Sequence, residues 1–318
     1  MERHRVSPAD LFSLGVVSEL ETAIEAVAAG RNVAVVAPPL AGRAAVLDIV
    51  EDMVGESVRE QATERTDTAD APIRLYEDCH RLYLRHIGGF SELDAFLDGM
   101  AETSAVHVTT WNAYAWAYLN QAKSVGNSFD SVITLDKPDS ETVTSWLESL
   151  AADGLTYVRD SADGPSGFDP QKIHSLTTLR EQLRLLCFAD GDDDDPKTAV
   201  FDSVTRITGG NPGVAKTIWN AIEAEAATEG EVRTSMVTEH EAEVSELSYD
   251  DAYALLAVLA NGSITQSELE AVVDESLDRT LRRFEKQGVV ELTGDGISVA
   301  PPALKPVVEH LTNRRLLW

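Results

Sequence analysis

NVAVVAPPLAGRAAVLDIVEDMV, residues 32–54, decides how this chain folds. Its first part, NVAVVAPP, is a short β-branched run bounded by turn residues, which suits a buried strand. RAAVLDIVEDMV then resumes helical spacing. Upstream, SELETAIEAVAA (18–29) reads as an amphipathic helix opening on Ser18, with Leu20, Ile24 and Val27 on one face and Gly30 ending it. The order is therefore helix, strand, loop, helix. Downstream, further strands are expected at IRLY (73–76), AVHVTT (105–110) and SVITL (131–135), with helical patterns between them. Strands alternating with helices predict a parallel sheet in an α/β domain.

From about Asp139 the pattern turns helical. DSETVTSWLESLAA, SLTTLREQLRLLCFA and NPGVAKTIWNAIEAEAA are three apolar-periodic segments, expected to form a small helical domain. Two polar loops interrupt it, at 159–171 and 190–196. The second, DGDDDDP, lacks the Gly and the terminal Glu of a calcium-binding loop and reads as a solvated acidic turn. After a polar stretch, SYDDAYALLAVLA, TQSELEAVV and ESLDRTLRRFEKQ predict three helices, and VVELTGDGISVA predicts two short strands around a Gly-Asp-Gly turn. Three helices and a hairpin make a winged helix, and ALKPVVEHLTN adds a last amphipathic helix. The expected divisions are an α/β domain over 1–137, a helical lid over 138–228, a polar linker over 229–246 and a winged-helix domain over 247–318.

A chain of 318 residues, 43% hydrophobic and 25% charged, buries a sizeable core and is longer than one ordinary domain. No apolar run approaches the ~18 residues of a membrane helix, and the opening MERHRVSPADLFSLGVV has only a broken apolar stretch, so the expected location is the cytoplasm with no membrane partner. Cys79 and Cys187 lie far apart and make no CxxC pair, which excludes a disulfide framework or a zinc site. The formal charge of −28 opposes non-specific nucleic-acid binding in dilute salt. Acidic residues spread along the whole chain, with Lys sparse relative to Arg, resemble proteins of extreme halophiles. In molar salt the screening length falls to roughly 3 Å, and a DNA partner is then not excluded.

Six segments, in order, carry a family resemblance. GVVSEL (15–20) resembles a GREEEL-type box, with Val16 where that box has Arg. AVVAPPLAGRAAVLD (34–48) sits where a phosphate loop belongs. IRLYEDCHRL (73–82) resembles a Walker B line ending in DEAHRL, and VHVTTWN (106–112) a sensor-1 strand. FDSVITLDKPDSETVTSWL (129–147) looks like the passage into a lid, and ITGGNPGVAK (207–216) like a sensor-2 turn and helix. Together they resemble the AAA+/STAND-type P-loop ATPases of the archaeal, initiator-like kind, over nearly the whole chain. The resemblance implies a P-loop α/β sheet with a helical lid and a C-terminal winged helix, and ATP or ADP with magnesium as cofactors.

A phosphate loop of the form GxxxxGK[ST] turns backbone N–H groups onto phosphates, extends a Lys to them, and holds magnesium with a hydroxyl. In that frame the chain has Ala37, then Pro38, Pro39, Leu40 and Ala41, then Gly42, Arg43 and Ala44. Gly42 alone fits. Arg43 keeps the charge, Ala44 has no oxygen for the metal, and each proline removes one donor. Glu77 stands where the family has its magnesium-linked Asp, and Asp78 where it has its water-activating Glu. Thr110 and Asn112 are the candidates to orient a water or a γ-phosphate. The family's phosphate-facing Arg falls on Gly213, Lys216 lies one turn on, and the helix start Gly209, Gly210, Asn211, Pro212 can attract an anion through its N–H groups.

The plainer readings stand beside these. Gly42 is then kept for helix packing, Glu77 and Asp78 are a strand-end pair meeting solvent, His80 is packed, and Trp111, Tyr114 and Tyr118 form a core face of one helix. In the third winged-helix segment Asp274, Glu275 and Asp278 lead, while Arg279, Arg282, Arg283 and Lys286 follow, and the wing turn carries Asp295. An acidic leading edge suits a protein partner or self-association better than DNA. The leading expectation is a vestigial or nucleotide-dependent regulatory switch that acts through the winged helix on another protein. The alternatives are a weak ATPase using Arg43, Glu77 and Asp78, and a DNA-binding regulator.

Overall fold

The computed structural model describes residues 5–65, 71–159, 195–237, 247–273, 277–294 and 296–317. Two helices open it, α1 (Pro8–Ser13), capped by Ser7 and Asp10 on each other's backbone N–H, and α2 (Val17–Ala28). Then β1 (Val33–Ala37) runs into α3 (Arg43–Val54), β2 (Ser57–Gln61) and β3 (Ile73–Glu77). Next come α4 (Ser91–Glu102), β4 (Val106–Asn112), α5 (Ala113–Lys123) and β5 (Ser131–Thr134). These strands form one parallel sheet in the order β2-β3-β4-β1-β5. The fold is thus α/β with a parallel sheet, as the alternation predicts.

Central β1 is buried along its whole length, and its side chains alternate between two cores. Val33, Val35 and Ala37 meet Leu20, Val46 and Leu47 of α2 and α3 on one face. Ala34 and Val36 meet Leu93 and Phe96 of α4 and Leu119 of α5 on the other. Strand β2 was not among the expected elements. Its sequence SVREQ has no apolar run, and a half-buried edge position demands none.

The helical stretch holds α6 (Ser140–Leu150), β6 (Thr156–Val158), α7 (Pro196–Ile207), α8 (Pro212–Glu229) and β7 (Glu231–Arg233), with β6 and β7 paired in parallel. Asp139 and Asn211 cap α6 and α8 with their side chains. The last part holds α9 (Tyr249–Asn261), α10 (Gln266–Val273), α11 (Asp278–Lys286), β8 (Val290–Thr293), β9 (Gly296–Val299) and α12 (Leu304–Asn313). Here β8 and β9 form an antiparallel hairpin and Ile264 bridges to Ile297, so the expected three helices, hairpin and closing helix are all present.

Two local expectations are corrected. Ser18 does not open α2: Val16 is the cap residue, without a side-chain bond, because buried Leu14 and Val16 fix the turn out of α1, and tertiary packing overrides the local cap signal. Trp111 shares no helical face with Tyr114 and Tyr118. It lies on β4, fully buried, edge-on to Trp116 and Phe129, while Tyr118 stacks on Tyr83. Helix α7 was also missed, although Asp195 and Pro196 announce its start and Val200, Phe201, Val204 and Ile207 recur at helical spacing along it. The predicted helix over 175–189 with Cys187, the acidic loop at 190–194, Asp274, Glu275 and Asp295 lie outside the described residues. Among the described residues, no helix is long and apolar enough to cross a membrane.

Candidate functional site

Parallel pairing sets the ends of β1, β3 and β4 side by side. Ala37 is in register with Asn112, and β3 ends at Glu77, so the loop 38–42, Glu77, Asp78, Thr110 and Asn112 gather at the carboxyl edge of the sheet. Open α/β sheets place their ligand sites at that edge. The predicted residues are therefore brought together, with Lys216 the exception.

Arg43, the first residue of α3, turns onto Asp78, donating from Nε at 3.0 Å and from Nη2 at 2.8 Å to the same oxygen, Oδ1. Asp78 itself has φ +54, a left-handed conformation uncommon without glycine, and its N–H donates to Thr110 Oγ1 at 2.9 Å. Burial pushes the Asp78 carboxyl up, but Arg43 above all, then His80 and Arg81, hold it down to about 2. The two residues that the sequence resemblance marks as loop cation and water-activating acid are thus joined in one ion pair.

Glu77 is engaged from another direction. Arg59 of β2 donates from Nε to Glu77 Oε1 at 2.6 Å and from Nη1 to Asp48 and Glu51, and its Nη2 lies 3.4 Å from the Ala44 carbonyl. Burial lowers the Arg59 pKa, and the bonds to Asp48, Glu77 and Glu51 outweigh it and raise it. Sequence reasoning passed over Arg59, although Ala44, Asp48 and Glu51 recur at the spacing of one α-helical face and two carboxylates there call for a cation. Magnesium does not fit these residues: Ala44 offers no side-chain oxygen, and Glu77 Oε1 already accepts from the Arg59 guanidinium, a cation in the metal's place.

The loop 38–42 is covered on two sides. Gly42 has φ +95 and caps α3, and a Cβ there would stand 2.8 Å from Leu11 Cδ2 and 3.0 Å from Val6 Cγ1. At Gly213, on the first turn of α8, a Cβ would stand 2.1 Å from the Leu40 carbonyl oxygen, so this packing leaves no room for a side chain at the position where the sequence resemblance implies an Arg. Asn211 Nδ2 donates to the Pro39 carbonyl at 2.9 Å, and the Ala41 N–H is taken by Pro38 O at 3.2 Å. With Pro38 and Pro39 lacking N–H groups, few donors are left to cradle a phosphate.

Lys216 points elsewhere. Its Nζ donates to Asp10 Oδ2 at 2.6 Å and to the Arg5 carbonyl at 3.1 Å. Buried Asp10 also accepts from the Ser7 N–H and hydroxyl, and from Trp146 Nε1 at 3.1 Å. Burial raises its pKa, and the Lys216, Ser7 and Trp146 bonds overcome that and lower it. One carboxylate thereby ties α1, α6 and α8 together. The Ser-Pro-Ala-Asp spacing of a capping box was the signal in the sequence, though it announces a helix start and says nothing of Lys216.

Asn112 caps α5 with its Oδ1, while its Nδ2 donates to the carbonyls of Leu259 at 2.6 Å and Ala260 at 3.1 Å, at the C-terminus of α9. His80 is buried and accepts the Asn112 N–H on Nδ1 at 3.2 Å. Burial above all drives the His80 pKa down, to about 3, so it stays neutral. Gly262, just past α9, sits so that a Cβ would be 3.4 Å from His80 Nε2 and 3.8 Å from Arg43 Nη2. Further out, Arg85 lies between the rings of Tyr118 and Tyr253, at 4.7 and 5.4 Å.

On α11, Arg279, Arg282 and Lys286 are exposed, and Arg283 pairs with Asp251. Arg282 also lines a groove of about 390 Å³ between α10, α11 and the hairpin, with Gln266 and Thr293.

No protein-family model and no curated protein matches the chain. Among solved structures it is similar to a point mutant of RuvB from Thermotoga maritima, at 14% identity over 92% of this chain and 94% of that one, TM-score 0.45. It is similar to the ORC2 protein of Aeropyrum pernix, solved as ADPNP-ADP complexes, at 12% identity over 93% and 92%, TM-score 0.44. A Walker-type ATPase of Pyrococcus abyssi matches at 11% identity over 96% and 98%, TM-score 0.45. At such identities and scores these likenesses assign no activity to this chain.

Proposed function

We propose that this protein is a regulator built on a P-loop-type α/β domain with a helical lid, whose nucleotide chemistry is vestigial and which acts through its C-terminal winged helix on a partner protein. The domains proposed are 1–137, a lid from 138 that runs past the expected end at 228 because β7 within the predicted linker 229–246 pairs with β6, and 247–318. One observation carries the reading: Arg43 neutralises Asp78, so the two groups a hydrolytic site would direct at phosphate and water are directed at each other. Reaching an ATP phosphate requires that this half-buried pair be broken, and a buried carboxylate without its partner is strongly destabilising. Turnover at Glu77 and Asp78 has no support in their bonding. What supports a coupling role is the contact of Asn112, His80 and Arg43 with the end of α9, which links the candidate site to the C-terminal elements.

Titration calorimetry in high salt with ATP and ADP, with and without magnesium, tests this. The expected result is weak binding at most, the same with and without magnesium, and no gain from the double change Arg43→Lys plus Ala44→Thr. Brisk magnesium-dependent phosphate release, abolished by Glu77→Gln, would overturn it.

A second reading, DNA binding, is favoured by the exposed Arg279, Arg282 and Lys286, which recur at helical spacing on α11. Such contacts would go mostly to phosphate. Each Arg→Ala change would then flatten the slope of log K against log salt by roughly one unit.

A further inference from the structure

We propose that Arg59 is the resident cation of the candidate site: its guanidinium holds Glu77, Asp48 and Glu51 as a divalent metal would, so the fold closes around this edge of the sheet without one. The inference rests on the reading of the site as non-hydrolytic, but its tests use no nucleotide.

The argument starts from charge. Three carboxylates, one from β3 and two from α3, converge on one side chain from β2. Glu77 is 21% exposed and Asp48 32%, so without a cation the repulsion between these carboxylates would be only partly screened, while Glu51, at 42%, lies nearer solvent. Arg5, about half exposed, stands at the rim and pairs with Asp48 at 3.7 Å. A planar guanidinium has five donors in a fixed fork, and Arg59 directs Nε to Glu77, Nη1 to the two α3 carboxylates and Nη2 to the Ala44 carbonyl. A lysine, with one nitrogen, could not reach both β3 and α3 in this way.

The placement is as telling as the count. Residue 44 opens the helical face that continues through Asp48 and Glu51, and Glu77 ends the neighbouring strand. In the sequence frame, 44 and 77 are the two positions that would serve a metal. Position 44 has lost its oxygen, and position 77 has a carboxylate one methylene longer than Asp, long enough to meet an arginine on the adjacent strand. The two departures from the motif, separate oddities in sequence, become one substitution of an organic cation for an inorganic one.

The experiment uses the full chain in fixed KCl. Wild type should melt at the same temperature in EDTA as in millimolar Mg2+, and Mn2+ followed by electron paramagnetic resonance should show no binding that depends on Glu77. Arg59→Met should melt lower in EDTA, recover part of the loss with Mn2+ or Mg2+, and bind Mn2+ at least about tenfold tighter than wild type, equivalent to about 1.4 kcal/mol. Arg59→Lys should fall between the two in EDTA. Wild-type Mn2+ binding lost in Glu77→Gln would overturn the proposal. So would an Arg59→Met that melts like wild type, or one that melts lower yet captures no Mn2+. Should Arg59→Met not fold, the wild-type manganese arm and the Arg59→Lys melt still decide.

Discussion

At the Arg43–Asp78 pair, the neighbour with the most measurable consequence is His80. It is buried against the pair, and its pKa falls from 6.5 to about 3 because burial penalises the imidazolium. Below pH 6.5 the unfolded chain takes up a proton that the folded chain refuses, so this contribution is fully present above 6.5 and is lost progressively as pH falls toward 3. The loss is at most about 1.4 kcal/mol per pH unit. His107, lowered to about 4 by burial and Arg74, adds a slope of the same sign. Chemical denaturation of wild type and His80→Gln from pH 6.5 to 5, above the range of most carboxylates, should show a clearly flatter stability profile in the variant. Equal slopes would mean that His80 is protonated in the folded protein. At this scale the sequence identified most of the residues but not their partners. Glu77, Asp78, Thr110 and Asn112 were named from the resemblance of their segments to Walker B and sensor-1 motifs. That Asp78 would face Arg43, and Glu77 face Arg59, depends on side-chain directions that a linear motif does not contain. Asp10 and Lys216 are a pair 206 residues apart and have no local signal at all.

Between elements, the junction of β4 with α9 links the sheet to the C-terminal helices. The last carbonyls of a helix need donors from outside it, and Asn112 supplies two to α9. Asn112→Ala should cost about 1–3 kcal/mol, since it leaves those carbonyls short of donors. It should also raise amide exchange in α9 more than in α3. If α9 exchange is unchanged, the junction is held by packing and the Arg85 contacts alone. Elements with strong periodicity were legible: RAAVLDIVEDMV is α3 to the residue, and β1, β3, β4 and β5 lie where short apolar runs predicted them. The elements that escaped were α1, β2, β6, β7 and α7. Three of these are edge or three-residue strands, whose stability comes from pairing with distant chain and not from their own composition.

For the molecule as a whole, 54 acidic against 26 basic residues make the folded state repel itself. Salt shortens that repulsion from a range of about 10 Å at 0.1 M to about 3 Å at 1 M. The melting temperature should therefore climb between dilute and molar KCl, and undiminished stability in dilute buffer would refute a halophilic adaptation. The Asp10–Lys216 bond has a consequence of another kind, in the order of events on the ribosome. Asp10 emerges early, yet its lysine is 206 residues later, an interval of roughly 10–40 s at ordinary elongation rates of about 5–20 residues per second. Within that interval the strands of the parallel sheet are synthesised, while the bond that ties α1 to α8 is still missing.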